Sequence, residues 1–296
     1  MNYFIIINPN SGTKNSIHVF NSIVAPELKK RGHTFDSHVT EYQHHGEEII
    51  SRAILKDIDG ILILGGDGTM HEAVNGLLKR DEIRDIPIGL LPAGSGNSLL
   101  HDIGKFDIKT TLNKILNHNT QTIDILKITS SDMIYYSINL VGWGMVNEIG
   151  ILAEKMRWMG PIRYNVSSII KIFTYKAKQA KVIIDEARFD KNFAFIIICN
   201  TIHIGKGMKM APHAKLNDGK MDIILIEDNF NKLELLKLFP TLFAGEHIKN
   251  DKVNYLQANS LILKPNKDGI LNIDGELVGR TPISIDVCRG AIKLLN

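Results

Sequence analysis

The chain has 296 residues, 44% of them hydrophobic, enough for one large α/β unit or two ordinary domains with real cores. Its 35 basic and 32 acidic residues leave a formal charge of +3, far from that of a dedicated nucleic-acid binder, and no long basic tail is present. The two cysteines, Cys199 and Cys288, form no C-x-x-C, which argues against a disulfide framework or a zinc ribbon and fits a reducing cytoplasm.

The first residues, MNYFIIINPNSG, carry no basic leader. Their apolar run is shorter than a signal h-region or the roughly 20 residues of a membrane span, so neither a cleaved leader nor a spanning helix is expected. Short β-rich runs follow at 3–7 (YFIII), 34–40, 60–64 (GILIL) and 87–91 (PIGLL), with helical stretches near 15–31, 46–56 and 69–80 between them. This alternation predicts right-handed β-α-β crossovers and a parallel sheet covered on both faces. After about residue 122 the chain turns strand-rich: TIDILKIT, MIYYSINLV, KVIID, NFAFIIICN, MDIILIE, KVNYLQA, SLILK, GILNID and ISIDVC, with helical interruptions near 146–175 and 230–240. The expected fold class is therefore α/β plus β. An N-terminal α/β domain over 1–122 has a mostly parallel sheet, and a C-terminal antiparallel β-rich layered domain covers 123–285. The final strand, about 286–296, is expected to return to the first domain, and no Pro- or Gly-rich linker marks the boundary.

Three loops fall at the carboxyl ends of the expected parallel strands: Asn8-Pro9-Asn10-Ser11-Gly12-Thr13 after the first, Gly65-Gly66-Asp67-Gly68-Thr69 after the third and Pro92-Ala93-Gly94-Ser95-Gly96-Asn97 after the fourth. That edge of an open α/β sheet is where ligands bind, because helix N-termini direct free N–H groups there. Glycines permit left-handed turns and close backbone approach, as a phosphate cradle requires. Read singly, each loop is equally an ordinary strand-to-helix turn. No P-loop, protein-kinase signature or complete dinucleotide fingerprint occurs. The eleven histidines show no metal spacing, and Trp143 and Trp158 read as packing residues.

Taken together, N-P-x-S-G, GGDGT, P-A-G-S-G-N and the late Asp274-Gly275-Glu276 resemble the diacylglycerol kinase and sphingosine kinase superfamily of lipid kinases, in order over nearly the whole chain. GGDGT alone is shared with NAD kinases and phosphofructokinases. The resemblance implies an NAD kinase/phosphofructokinase-like N-terminal domain that binds ATP between the lobes, and a β-rich domain that receives the lipid. By similarity Asn8, Pro9, Asn10, Ser11, Gly12, Thr40, Gly66, Asp67, Gly68, Thr69, Met70, His71, Glu72 and Ser95 contact nucleotide. Arg157 and Arg163 clamp its phosphates, and Glu148 stands where sphingosine kinases carry a lipid-contacting Asp. The stretch from Lys215 to Lys220 is similar to a loop holding structural Mg²⁺, with carbonyls of Lys215 and Lys220, the Asp218 carboxylate and supporting Asp124. Oxygen donors suit that hard cation, although a plain N-D-G turn is the other reading of this loop.

Phosphoryl transfer to an alcohol calls for a base. Asp67 and Glu276 compete for the role, given by the resemblance to the first in sphingosine kinases and to the second in bacterial diacylglycerol kinases. Glu276 is preferred, with Asp67 and Asp274 ordering Mg²⁺ and phosphates. On an uninterrupted strand Asp274 and Glu276 would share a side; a turn at Gly275 would separate them. Residues 166–181, VSSIIKIFTYKAKQAK, set Ile169, Ile170, Ile172 and Phe173 beside Lys171, Lys176, Lys178 and Lys181. This is consistent with an interfacial helix on an anionic membrane or with a core-facing helix ending in solvated lysines. The expected protein is thus an ATP- and Mg²⁺-dependent kinase of a diacylglycerol-like or sphingoid lipid, cytoplasmic or peripheral at a membrane, without nucleic-acid partners, a homodimer being left open. A non-catalytic nucleotide- or lipid-binding regulator and, further off, an NAD kinase are the alternatives.

Overall fold

β1 (Asn2–Ile7) is buried on both faces, the signature of a strand covered by helices above and below. Tyr3, Ile5 and Ile7 join Phe20, Val24, Leu28, Leu62, Leu64, Leu112 and Ile115 in one core, while Phe4 and Ile6 are buried on the opposite side. The computed structural model describes residues 1–80, 85–94, 97–104, 107–131, 133–205 and 207–296, with the side chains of Arg157 and Pro161 outside that description. The chain divides into two compact units, Met1–Ile125 with Arg289–Asn296, and Leu126–Cys288.

In the first unit β1 is followed by α1 (Ser16–Val19), a π-helical segment (Phe20–Val24), α2 (Ala25–Lys30), β2 (Thr34–Val39), α3 (His45–Arg52), β3 (Gly60–Gly65), α4 (Asp67–Leu78), β4 (Ile88–Pro92), α5 (Ser98–Ile103) and α6 (Ile108–Leu116). The strands run β4-β3-β1-β2, all parallel, so the ends of β1, β3 and β4 share one edge. The sequence reading had no helix over 98–116. α6 nonetheless carries its own start signal, the Asp107 carboxylate accepting from Thr110 N at 2.7 Å.

The chain passes through β5 (Thr120–Thr129), β6 (Ile134–Ser137), β7 (Leu140–Gly144), α7 (Met145–Lys155), a 3-10 segment (Arg157–Ile162), α8 (Arg163–Thr174), β8 (Lys178–Ile184), β9 (Ala187–Cys199), β10 (His203–Ile204), β11 (Met208–Lys209), β12 (Met221–Glu227), α9 (Lys232–Ala244), a second 3-10 segment (Glu246–Lys249), β13 (Val253–Ala258), β14 (Ser260–Pro265), β15 (Ile270–Ile273), β16 (Glu276–Arg280) and β17 (Ile283–Leu295). In the second unit β16-β15-β7-β9-β8-β14-β17 are neighbours in order, each pair antiparallel. The far end of β17 belongs to the first unit, where Leu294 pairs with Ile88 in parallel. The thirteen residues of β9 show why this unit is layered. Ile196 and Ile198 enter a core with Trp143, Val182, Ile223 and Leu261, whereas Ile197 and Cys199 face another with Ile172, Leu235 and Leu238 from α8 and α9.

Three local expectations change and one open alternative, at Asp274 and Gly275, closes. The run at 133–141, read as one strand, breaks at 138–139 into β6 and β7. Asp274 and Gly275 do not lie on a strand. With φ of +51° and +96° they form the two-residue turn of the β15–β16 hairpin, in which Ile273 pairs with Glu276. Helix α8 ends at Thr174, so Lys176, Lys178 and Lys181 lie beyond it. Trp143 is a packing residue at 2% exposure, but Trp158 is 82% exposed.

Candidate functional site

The three glycine-bearing loops at the carboxyl edge of the first unit pack backbone on backbone. A Cβ on Gly66 would stand 2.8 Å from Gly94 Cα, and one on Gly94 would overlap Gly66 Cα. A Cβ on Gly12, whose φ is +52°, would collide with the Ala93 carbonyl. A Cβ on Gly65 would meet Thr69 Oγ1 at 2.5 Å. The close approach read from these glycines is thus first of all an approach of the loops to one another. Gly68 differs, because a Cβ there would meet nothing within 4 Å.

Side chains complete the cross-links. Asn8 Nδ2 donates to Thr69 Oγ1 at 2.9 Å, Asn8 Oδ1 accepts from Asn10 N, and Asn8 O accepts from Ser11 N. Thr40, buried at 5%, donates its N–H to Ile7 O. Asp67 is the first residue of α4, and its Oδ2 accepts from Ser98 N, the first residue of α5, at 2.8 Å. No side-chain hydrogen bond caps α4 at Gly66. The positive end of its dipole thus lies at Asp67 and Gly68, an arrangement that attracts anions.

Further along α4 the expected contacts prove to be tied into the unit. Met70 is 1% exposed, and His71 pairs with Asn75 inside the helix. Glu72, 8% exposed, accepts from His44 N at 2.8 Å and Gly46 N at 2.9 Å, so its carboxylate holds the start of α3. Pro9, at the turn between Asn8 and Asn10, has no hydrogen to donate. Ser95 lies outside the described residues.

In the second unit Glu148, in the first turn of α7, is gripped from two elements. Lys171 of α8 donates to its Oε2 and Lys178 of β8 to its Oε1, each at 3.0 Å. Burial opposes ionisation of Glu148, yet the hydrogen bonds from the two lysines outweigh it and hold the carboxyl below its ordinary range. Sequence reading set these lysines either among anionic headgroups or at a solvated helix end and missed this pairing, since neither spacing nor motif joins residues 148, 171 and 178. Arg163 Nη2 pairs with Glu154 at 3.4 Å, and its guanidinium lies over the Tyr164 ring. The side chain of Arg157 lies outside the described residues.

Asp274 is 8% exposed, and its carboxylate accepts from Ser137 Oγ at 2.6 Å and from Ile138 N, Asn139 N and Leu140 N at 2.9 Å each. These bonds tie the β6–β7 turn to the β15–β16 turn. They are the physical reason that Asp274 does not share a strand face with Glu276. The signal was the polar pair Ser137 and Asn139 inside an apolar run. Glu276 is half-buried at the start of β16.

In the 215–220 loop Asp218 Oδ1 accepts from Lys220 N at 3.0 Å, and Asn259 Nδ2 donates to Gly219 O at 2.7 Å. Asp222, 1% exposed, accepts from Tyr255 Oη and Gln257 Nε2; burial and the charge of Asp218 push its pKa up. Asp124 lies in the first unit, where it accepts from Gly290 N at 2.7 Å.

The family model described as diacylglycerol kinase catalytic domain matches residues 2–128, and that described as YegS C-terminal NAD kinase beta sandwich-like domain matches residues 139–296. Sphingosine kinase 1 of Arabidopsis thaliana is 27% identical over 331 residues, spanning 93% of this chain and 68% of its own. A diacylglycerol kinase of Bacillus subtilis is 27% identical over 285 residues, spanning 94% and 90%. The crystal structure of a diacylglycerol kinase from Bacillus anthracis superposes with a TM-score of 0.80 at 21% identity, covering 99% of this chain and 96% of that one. An NAD kinase from Archaeoglobus fulgidus, solved in complex with ATP, superposes at 0.55 and 12% identity, covering 100% and 94%. At these identities the two structures speak for the fold alone.

Proposed function

Because this chain belongs to the diacylglycerol kinase and sphingosine kinase superfamily of lipid kinases, we propose that it transfers the γ-phosphate of ATP to a lipid hydroxyl. The observation that carries the nucleotide half of this reading is the start of α4: a helix N-terminus without a side-chain cap beside Gly68, whose missing side chain no neighbour in the protein requires. A triphosphate brought to that point would meet the positive end of the helix dipole. Arg157 and Arg163 are proposed as phosphate contacts, suited to the role by a fixed charge and forked donors.

Transfer requires little covalent help from protein, chiefly positioning, charge neutralisation and removal of the acceptor proton. Glu276 is the proposed base, a role typically worth about 10² to 10⁴ in rate. Asp67 is proposed to order the nucleotide and its Mg²⁺. Asp274, with its carboxylate occupied by the 137–140 turn, is assigned a positioning role: it fixes the hairpin turn from which Glu276 departs. Mg²⁺ supplies charge neutralisation when bound. The oxygen donors of the 215–220 loop also fit a structural cation. Asp218, with the carbonyls of Lys215 and Lys220, would hold it.

The paired lysines on Glu148 favour an uncharged acceptor. A sphingoid amine would have to displace ammonium groups already seated at 3.0 Å on both carboxylate oxygens, whereas a glycerolipid hydroxyl would not. The decisive experiment incubates the protein with ATP labelled at the γ-phosphate, Mg²⁺ and, separately, dioctanoylglycerol, a monoacylglycerol, ceramide and sphingosine. Label is expected in dioctanoylglycerol, with turnover falling by about 10² or more in Glu276→Gln at unchanged thermal stability. Label in none of the four lipids would leave a nucleotide- or lipid-binding regulator. Preference for sphingosine would overturn the reading of Glu148.

A further inference from the structure

Cys199 ends β9, and the two residues after it, Asn200 and Thr201, are polar yet buried. Asn200 reaches the turn between β6 and β7 with both of its nitrogens: Nδ2 donates to Ile138 O at 2.9 Å and the backbone N to Asn139 O at 2.8 Å. Asp274 grips the same turn by the opposite atoms, since its Oδ1 accepts from Asn139 N and Leu140 N at 2.9 Å each. The carbonyl of Ile138 and the N–H of Asn139 belong to one peptide, as do the carbonyl of Asn139 and the N–H of Leu140. A peptide is planar and trans, so fixing its oxygen aims its hydrogen. Asn200 thus holds two peptide planes by their oxygens, and one oxygen of Asp274 receives the hydrogens of both.

We propose that Asn200 is a positioning residue for Glu276, acting through these two peptides and Asp274. Asp274 and Gly275, with φ of +51° and +96°, make the turn that delivers Glu276 to β16, where it pairs with Ile273. Left-handed backbone is uncommon for a residue with a side chain and persists where the surroundings over-determine it. Here Asp274 N donates to Leu140 O and Gly275 N to Asn272 Oδ1, each at 2.9 Å, in addition to the four donors on the Asp274 carboxylate. Rotation of either peptide that Asn200 holds would turn an N–H away from Asp274 Oδ1 and loosen the turn from which the base departs. A reacting group misplaced by about 1 Å can cost about a hundredfold in rate. Asparagine suits the position because its carboxamide brings an uncharged donor to a buried carbonyl, whereas a carboxylate there would have only acceptors to offer. The inference rests on the assignment of Glu276 as base and adds a residue that touches neither Glu276 nor Asp274 in sequence.

Asn200→Ala removes the Nδ2 donor and keeps the backbone bond. With labelled ATP, Mg²⁺ and whichever of the four lipids accepts phosphate, kcat is expected to fall by about tenfold or more while KM for ATP stays within about twofold of wild type. The decisive step repeats the substitution in Glu276→Gln. A residue that acts only through that carboxylate costs nothing further once the carboxylate is gone, so the double variant is expected to turn over within about twofold of Glu276→Gln alone. A merely structural role would instead multiply the two losses. Asn200→Ser, which keeps a polar group at the site without the reach of a carboxamide, provides the same cycle should the alanine variant misfold. Wild-type kcat in a folded Asn200 variant, or losses that multiply in the double variant, would overturn the positioning role and leave Glu276 as base. Full turnover in Glu276→Gln, or label in none of the lipids, would remove the base and the positioning role with it.

Discussion

At the scale of single residues, the glycines of the carboxyl-edge loops separate into those the protein needs and one it does not. Gly66 lies against Gly94, so Gly66→Ala forces two loop backbones apart, an overpacking cost of about 1–3 kcal/mol. Gly68 sits in the first turn of α4 with open space where its Cβ would be, and alanine there is expected to leave stability unchanged or raise it by up to about 1 kcal/mol. If the open space belongs to ATP, Gly68→Ala should raise KM for ATP by about tenfold, equivalent to roughly 1.4 kcal/mol of binding. Thermal melts beside ATP titrations of both variants check this; an unaltered KM in a folded Gly68→Ala protein would remove the triphosphate from that spot. GGDGT was legible as a chemically loaded joint. The division of labour among its glycines was not, because Gly94, the residue that constrains Gly66, is remote in sequence and enters only through the parallel pairing of β3 with β4.

At the scale of elements, the alternation of apolar runs exposed the parallel layer, and the shift to strand-rich sequence exposed the antiparallel one. Hydrophobic periodicity records burial on successive faces, and burial governs both sheets. Turn chemistry was harder to read. Asp274-Gly275 between apolar runs is a hairpin signal, but the reading of Asp274 as a member of an acidic pair competed with it; the four hydrogen bonds to the 137–140 turn settle where that carboxylate is used. The clamp of Glu148 with Lys171 and Lys178 joins α7, α8 and β8 and was likewise hidden, since it depends on tertiary proximity. Its worth is modest, because all three side chains retain solvent contact. Glu148→Gln is expected to cost about 1 kcal/mol at neutral pH. The folded-state pKa of Glu148 lies below the ordinary 4.5. The wild-type advantage is therefore complete above that value and disappears as pH falls through the lower folded-state pKa. Paired denaturant titrations of wild type and Glu148→Gln at pH 7 and at steps below pH 4.5 would show the curves converging, and a constant gap would place the effect elsewhere than in the ion pairs.

At the scale of the whole molecule, the chain builds separate cores. Tyr3, Ile5, Leu62, Leu112 and Leu295 centre one in the first unit, and Trp143, Phe193, Ile196, Ile223 and Leu261 centre another in the second. The covalent path runs from the first unit into the second along β5 and back along β17, so the last residues of the chain complete the core that the first residues begin. Each unit thus has the apolar interior needed for cooperative unfolding of its own, and a single two-state transition for the whole chain is not expected. Both tryptophans belong to the second unit, which makes selectively excited tryptophan fluorescence blind to the first, whereas far-UV circular dichroism reports helices and strands of both. Heating or denaturant should accordingly give different midpoints by the two signals. A non-hydrolysable ATP analogue, bound at the start of α4 as proposed, should raise the circular-dichroism component that fluorescence does not follow, by about 2.7 kcal/mol at a hundred times its Kd. Coincident midpoints that the analogue moves together would instead show the two cores melting as one cooperative body, and an analogue that moves only the tryptophan signal would take the nucleotide away from the glycine loops altogether.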